Sequence, residues 1–219
     1  MAEWVELSRA LKKQSDAENL RKRTQENLKN VTQRDAHIVA PLDYSFFGLS
    51  TVEDAETLEP RAVEVSKGVS HATSSSKSKG RCLRMNNNSL VDIKGLYNLV
   101  TNLFLIPDWI GWIDLSYNQL PIIDPVLLKF EKLEILYLHG NAIKDIKEVN
   151  KLEDARSLRK LTLHGNELEN EKDYRKKVLA MLPQLRSLDF SPVTKGENIT
   201  VLCWKKINSP KKKKVIAED

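Results

Sequence analysis

LYLHGN occupies Leu136–Asn141, and LTLHGN occupies Leu161–Asn166. A histidine beside a glycine and an asparagine, written twice, has two readings. It is a reactive pair, or it is one structural unit repeated. Aligning the chain on the asparagines decides between them. The pattern L-x-x-L-x-L-x-x-N-x-L, with some substitution of Ile and Met for Leu, fits four times. Leu83, Met85, Asn88 and Leu90 form the first copy, and Ile110, Ile113, Leu115, Asn118 and Leu120 the second. Leu133, Leu136, Leu138, Asn141 and Ile143 form the third, and Leu158, Leu161, Leu163, Asn166 and Leu168 the fourth. A degenerate fifth follows at Leu185, Leu188 and Phe190, with Val193 in the asparagine position.

The pattern has a physical logic. Each copy supplies one short strand whose alternate residues face opposite ways, so its leucines enter a core that a single copy is too small to close. The asparagine carries both a donor and an acceptor. It can bond backbone groups in the turn that leaves the strand, groups that burial would otherwise strand without partners. Asn88, Asn118, Asn141 and Asn166 are therefore expected to form a ladder along the stack. Their numbers differ by 30, 23 and 25, and Tyr97–Ile106 supplies the extra residues of the first interval. Later apolar positions (Ile93 and Leu96, Ile123 and Leu127, Ile146 and Val149) predict short helical or 3₁₀ arcs opposite the strands. The expected architecture is an α/β solenoid with a parallel concave sheet and a short helical convex side. Tyr174 to Asp189 is expected to cap it, and Asn198 to Ile207 reads as a final helix with Ile199, Leu202, Cys203 and Ile207 on one side.

Outside the repeats the texture changes. Residues 1–40 read as a charged helical extension with a thin apolar stripe at Trp4, Leu7, Leu11, Leu20, Leu28 and Val31. Residues 41–80 read as a docking segment, PLDYSFFGL, followed by a linker low in complexity around SHATSSSKSKG. Repeats and cap occupy 81–192, and a terminal helix with a basic tail occupies 193–219. The net charge of +5 is uneven. Residues 193–219 hold seven basic and three acidic side chains, against sixteen and fifteen in 81–192. A body so close to neutral does not suit a nucleic-acid reader. No apolar run approaches the ~20 residues that span a bilayer, and no signal peptide is legible at the start. A cytoplasmic protein with free thiols at Cys82 and Cys203 is expected.

PLDYSF, WIDLSYN (Trp112–Asn118), IDPVL (Ile123–Leu127), LYLHGN, EVNKL (Glu148–Leu152), LTLHGN, EKDYR (Glu171–Arg175), LDFSPVTK and Trp204-Lys205-Lys206 occur in one order. Together they resemble the short-repeat leucine-rich repeat family with a C-terminal cap. That family includes a regulatory subunit of protein phosphatase-one and the leucine-rich light chain of axonemal dynein. The resemblance runs from about Pro41 to Lys214 and fails over 1–40. It implies a non-enzymatic cytoplasmic subunit, associated with ciliated or sensory cells, whose partners are axonemal or microtubule-associated proteins. A subunit that targets a phosphatase would share the same fold.

His139 and His164 fall just after equivalent strand leucines on neighbouring copies, so their imidazoles are expected to lie near one another. Two nitrogens fall short of the four ligands of a closed zinc site. Asn86, Ser116 and Ser191 hold the equivalent places and are poor ligands. Scaffold or partner contact is the favoured reading, with no cofactor and no metal. No nucleotide-binding, hydrolase or metalloprotease motif is present. Catalysis is not expected.

The residues between the leucines should face outward on the concave sheet: Arg84, Trp112, Asp114, Ile135, Tyr137, His139, Lys160, Thr162 and His164. Large aromatic groups there are the expected protein-binding surface, unless a segment of the same chain covers them. Neither nucleic acid, nor a membrane, nor a second copy of the chain is expected as the partner. Lys211, Lys212, Lys213 and Lys214 form a self-repelling run that is solvated or meets an acidic surface such as a tubulin tail.

Overall fold

In the computed structural model, residues 40–61 and 77–208 are described. The expected helix in 1–40, the linker over 62–76 and the lysines at 211–214 lie outside the described residues.

The sheet has seven strands in chain order: β1 (Leu42–Asp43), β2 (Cys82–Arg84), β3 (Trp112–Asp114), β4 (Ile135–Tyr137), β5 (Lys160–Thr162), β6 (Ser187–Leu188) and β7 (Ser191–Pro192). The first six run parallel, and β7 turns back antiparallel on β6. Register sets Leu83, Ile113, Leu136, Leu161 and Leu188 side by side. All are at most 1% exposed. This row and the next, Met85, Leu115, Leu138 and Leu163, form the spine of one continuous core from Tyr44 to Val201. Each such side chain contributes roughly 1.5–3 kcal/mol through burial.

The convex side is built from 3₁₀ turns at Glu53–Thr57, Pro125–Lys129, Ile146–Leu152 and Glu167–Asn170. The spacing of 23 to 25 residues leaves little room for longer helices there. Two of these turns start on an aspartate whose carboxylate accepts a backbone N–H: Asp124 from Val126 and Asp145 from Lys147, each at 2.8 Å. Such side-chain acceptors replace missing helical partners at an N-terminus. The longer first interval holds α1 (Leu96–Leu103) and a 3₁₀ turn at Pro107–Trp109. The cap consists of α2 (Tyr174–Met181), the β6–β7 hairpin and α3 (Lys195–Asn208).

The asparagines make the ladder. Asn118 Oδ1 accepts from Leu90 N, and its amide donates to the carbonyls of Met85 and Leu115, all within 3.1 Å. Asn141 does the same for Leu120 N, Leu115 O and Leu138 O. Asn166 serves Ile143 N, Leu138 O and Leu163 O. Each rung therefore ties its own turn to the preceding coil.

Five sequence expectations change. PLDYSFFGL is an additional coil of the array: Leu42 and Asp43 pair with Leu83 and Arg84, and Tyr44 is fully buried. Phe47 stands where an asparagine would, so the alignment passed over it. The rung comes from Asn88, whose Oδ1 accepts from Phe47 N and Leu49 N. Residues 50–61 are likewise part of the array, because Val52 and Ala55 are buried behind that coil. Ser78, expected in the linker, is pinned by exchange of backbone bonds with Leu103 and Leu105.

Phe190 is not a core residue of a fifth copy. Asp189 and Phe190 both have positive φ, 51° and 60°, and they form the two-residue turn between β6 and β7. The chain has reversed before Val193, so no asparagine position exists there. Finally, the helix is α3, and its inward residue is Val201. Ile199, Leu202 and Ile207 point outward, at 63%, 58% and 81% exposure.

Candidate functional site

The concave face is assembled from three rows that the register aligns. Trp112, Ile135 and Lys160 form one row, followed by Ser187; Arg84, Asp114, Tyr137 and Thr162 form the next. Ser116, His139 and His164 follow in the turns that leave the strands. The side chains on this face do different work. Asp114, Thr162 and His139 are buried, at 6%, 1% and 8% exposure, and so are no part of a free surface. The Asp114 carboxylate accepts from Ser116 N and Oγ at 3.1 and 2.6 Å. Thr162 Oγ1 lies 2.8 Å from His139 Nδ1. Arg84 is held by Asp43 at 3.2 Å. For Asp114, Thr162 and His139 the partner-binding expectation is corrected, because neighbouring strands turn their polar groups toward one another; Arg84 keeps 35% of its side chain exposed.

The aromatic side chains form a contiguous cluster. His139 and His164 are stacked, with ring centroids 4.6 Å apart and planes inclined by 9°. Tyr137 stands edge-on to Trp112 at 5.7 Å and to Phe190 at 5.3 Å. Phe190 also meets both imidazoles at 5.6 Å. Tyr117 approaches His139 edge-on at 5.1 Å. Edge-to-face contacts of this kind stabilise beyond simple burial. Burial and the neighbouring His164 both depress the pKa of His139, against the opposing pull of Asp114 and Asp189. It is the neutral form that suits a stacked imidazole. Among the described residues no group of three or more His, Cys, Asp or Glu stands together as a metal cluster would.

Tyr117 and Phe190 were missed as surface residues by sequence reasoning. Both remain largely exposed, at 54% and 60%. The turn residue of each coil is left-handed: Phe46, Asn87, Tyr117, Gly140 and Gly165 have φ of 60°, 56°, 52°, 67° and 71°. Gly140 leaves a notch that the Tyr117 ring fills, since a Cβ there would lie 2.7 Å from Tyr117 Cδ1. The signal in the sequence was an aromatic in a column of Asn and Gly.

One carboxylate closes the far end of the sheet. In inner copies the strand-exit amides bond the next strand's carbonyls, as Leu138 N does with Thr162 O. Leu163 N and His164 N instead donate to Asp189 Oδ1 at 2.6 and 3.0 Å, while Oδ2 accepts from Tyr174 Oη at 2.8 Å. Burial, reinforced by that neighbouring carboxylate, drives the Tyr174 hydroxyl pKa far upward.

A parallel concave sheet, an asparagine ladder and short convex turns define a leucine-rich repeat protein. A family model described as leucine-rich repeat matches residues 110–217. The crystal structure of the Drosophila melanogaster SNF/U2A' complex is similar at a TM-score of 0.51 and 18% identity, covering 58% of this chain and 70% of that one. Leucine-rich repeat-containing protein 51 of Rattus norvegicus is 45% identical over 82% of this chain and 92% of its own length. The Homo sapiens protein of that name is 44% identical over 79% and 88%. The chain belongs to the leucine-rich repeat-containing protein 51 family.

Proposed function

We propose that this chain is a non-enzymatic scaffold subunit that binds a protein partner through the concave aromatic face. The observation that carries the reading is the cluster of Trp112, Tyr137, His139, His164 and Phe190. Aromatic side chains are favoured interface anchors, and Phe190 keeps 60% of its surface exposed. Membership of a leucine-rich repeat family agrees with a binding role. The test is crosslinking and pull-down from native extract with the full chain. Trp112→Ala combined with Tyr137→Ala is expected to abolish capture while circular dichroism and melting stay those of a folded array. Unchanged capture would defeat the proposal.

The cellular setting is part of the same proposal: a cytoplasmic protein of ciliated cells, in an axonemal or microtubule-associated complex. Its support is the resemblance to the repeat proteins of axonemes. Co-fractionation with salt-washed axonemes is expected; recovery solely in the soluble fraction, with no axonemal partner crosslinked, would remove the axonemal part and leave the concave-face reading intact.

A further inference from the structure

Tyr117 and Phe190 sit in backbone conformations that L-residues with bulky side chains rarely adopt. Glycine or asparagine suits such positions, and in the column of Tyr117 the chain uses them at Asn87, Gly140 and Gly165, with a second aromatic at Phe46; Phe190 is the second residue of the β6–β7 turn. Local propensity conflicts with the residue present at both sites, and both side chains are mostly exposed. Their ring contacts, Tyr117 with His139 and Phe190 with Tyr137, His139 and His164, leave most of each side chain uncovered, so burial accounts for only part of their presence. Strained residues that the surroundings do not require tend to mark functional sites.

The opposite edge of the face differs in character. Where the strands begin, Arg81 reaches Glu134 on the third copy at 3.6 Å. The next positions along this edge are Arg159 and Arg186, with Lys160 beside them. Backbone bonds from Glu134 to Arg159 and from Arg159 to Arg186 fix that sequence of neighbours. Arg159 spends its guanidinium on the carbonyls of Arg156 and Leu158. Lys160 and Arg186 are exposed and have no carboxylate partner among the described residues. The acids on the face itself are occupied: Asp43 by Arg84, Asp114 by Ser116, and Asp189 by backbone amides and Tyr174. The trough thus has an aromatic rim on one side and an unmatched basic lip on the other.

Resting on the concave-face reading, we infer that the occupant is an acidic amphipathic helix. Its apolar stripe lies on Tyr117, His164 and Phe190, and its carboxylates meet Lys160 and Arg186. From β3 to β6 the aromatic floor spans about 14 Å at the usual strand spacing, which accommodates a helix about 10–12 Å across with its side chains. The left-handed aromatics are retained for contact, at a cost in stability.

The test uses the full chain and two fluorescein-labelled synthetic helices of about 18 residues, long enough to hold helical structure. Both carry a Leu/Phe stripe; one is flanked by glutamates, its twin by lysines. The acidic peptide is expected to bind at least about tenfold more tightly than its twin, with affinity falling as salt screens the charges. Lys160→Glu with Arg186→Glu should reverse the preference. Tyr117→Asn and Phe190→Asn should each weaken binding about tenfold while leaving the melting temperature unchanged or raised. A lowered melting temperature in both variants would assign the two aromatics a structural role and overturn the inference, as would equal binding of the two peptides or binding of neither. If native capture still depends on Trp112 and Tyr137 in those cases, the concave-face proposal survives alone; if capture also fails, both fall.

Discussion

Removing the amide of Asn141 should cost a large share of the fold's stability. The side chain is 9% exposed and serves three buried backbone groups: Leu120 N–H at 3.0 Å, Leu115 O at 3.0 Å and Leu138 O at 2.9 Å. In Asn141→Ala the Leu120 N–H loses its partner, whereas Leu115 O keeps the amide of Asn118 and Leu138 O keeps that of Asn166. An unpaired buried group costs about 1–3 kcal/mol. Assigning ~2 to the amide and ~0.5 to the lost second bond of each carbonyl gives a loss of about 3 kcal/mol, set against a total stability of roughly 5–15 kcal/mol. With a urea slope near 2 kcal/mol/M, the unfolding midpoint should fall by about 1.5 M. Asn170→Ala on the exposed convex side is the control, expected within about 0.5 kcal/mol of the parent. Asn141→Asp keeps the acceptor but opposes a charge to two carbonyls, so it should be at least as unstable as the alanine variant at neutral pH. A midpoint for Asn141→Ala within about 0.5 M of the parent, at unchanged slope, would refute the view that the rung carries load between coils.

Asn88→Ala should act locally, because Asn88 holds Phe47 N, Leu49 N and Tyr44 O; amide exchange is expected to rise across Tyr44–Leu49 and to stay slow in β5. Stability should also decline on acidification through His139. Its folded pKa lies below the unfolded value near 6.5, so the contribution is complete above that value and is lost as pH falls from it toward the folded pKa. Urea midpoints should show this slope, and His139→Gln should flatten it. Gly140→Ala should cost more than Gly48→Ala. Both positions have positive φ, 67° and 68°, which alone costs about 1–2 kcal/mol. A Cβ at Gly140 additionally meets the Tyr117 ring, whereas at Gly48 it meets nothing within 4 Å. Equal thermal shifts would show that the ring moves aside freely.

The repeating part of this molecule was legible because a core residue and a ladder asparagine must recur wherever the same coil recurs. Leu136, Leu161, Asn141 and Asn166 could be placed from letters alone, as could the proximity of His139 and His164. The coil at Leu42–Leu49 was not, since Phe47 replaces the one residue that marks register, and the missing amide is supplied by Asn88 forty-one positions later. Phe190 was misplaced for a related reason. Alternation continues the strand on paper, while two successive positive φ angles turn the chain around in space. On the concave face, sequence predicted outward positions correctly by parity but not which of them crowding would bury. Asp114 and Thr162 bond inward, and the rim residues Tyr117 and Phe190 belong to turns outside the alternation.

The way the sheet ends at Asp189 bears on how the molecule behaves among its own kind. An open row of amides and carbonyls at a sheet margin invites another strand to add on. Here the final amides are taken by a side chain, and the outermost strand is two residues long and contains Pro192, which has no N–H to offer. The margin is thus chemically spent. Neither a neighbouring molecule nor an unfolded stretch of chain finds a template there, so copies crowded in a cell are discouraged from joining edge to edge into fibres.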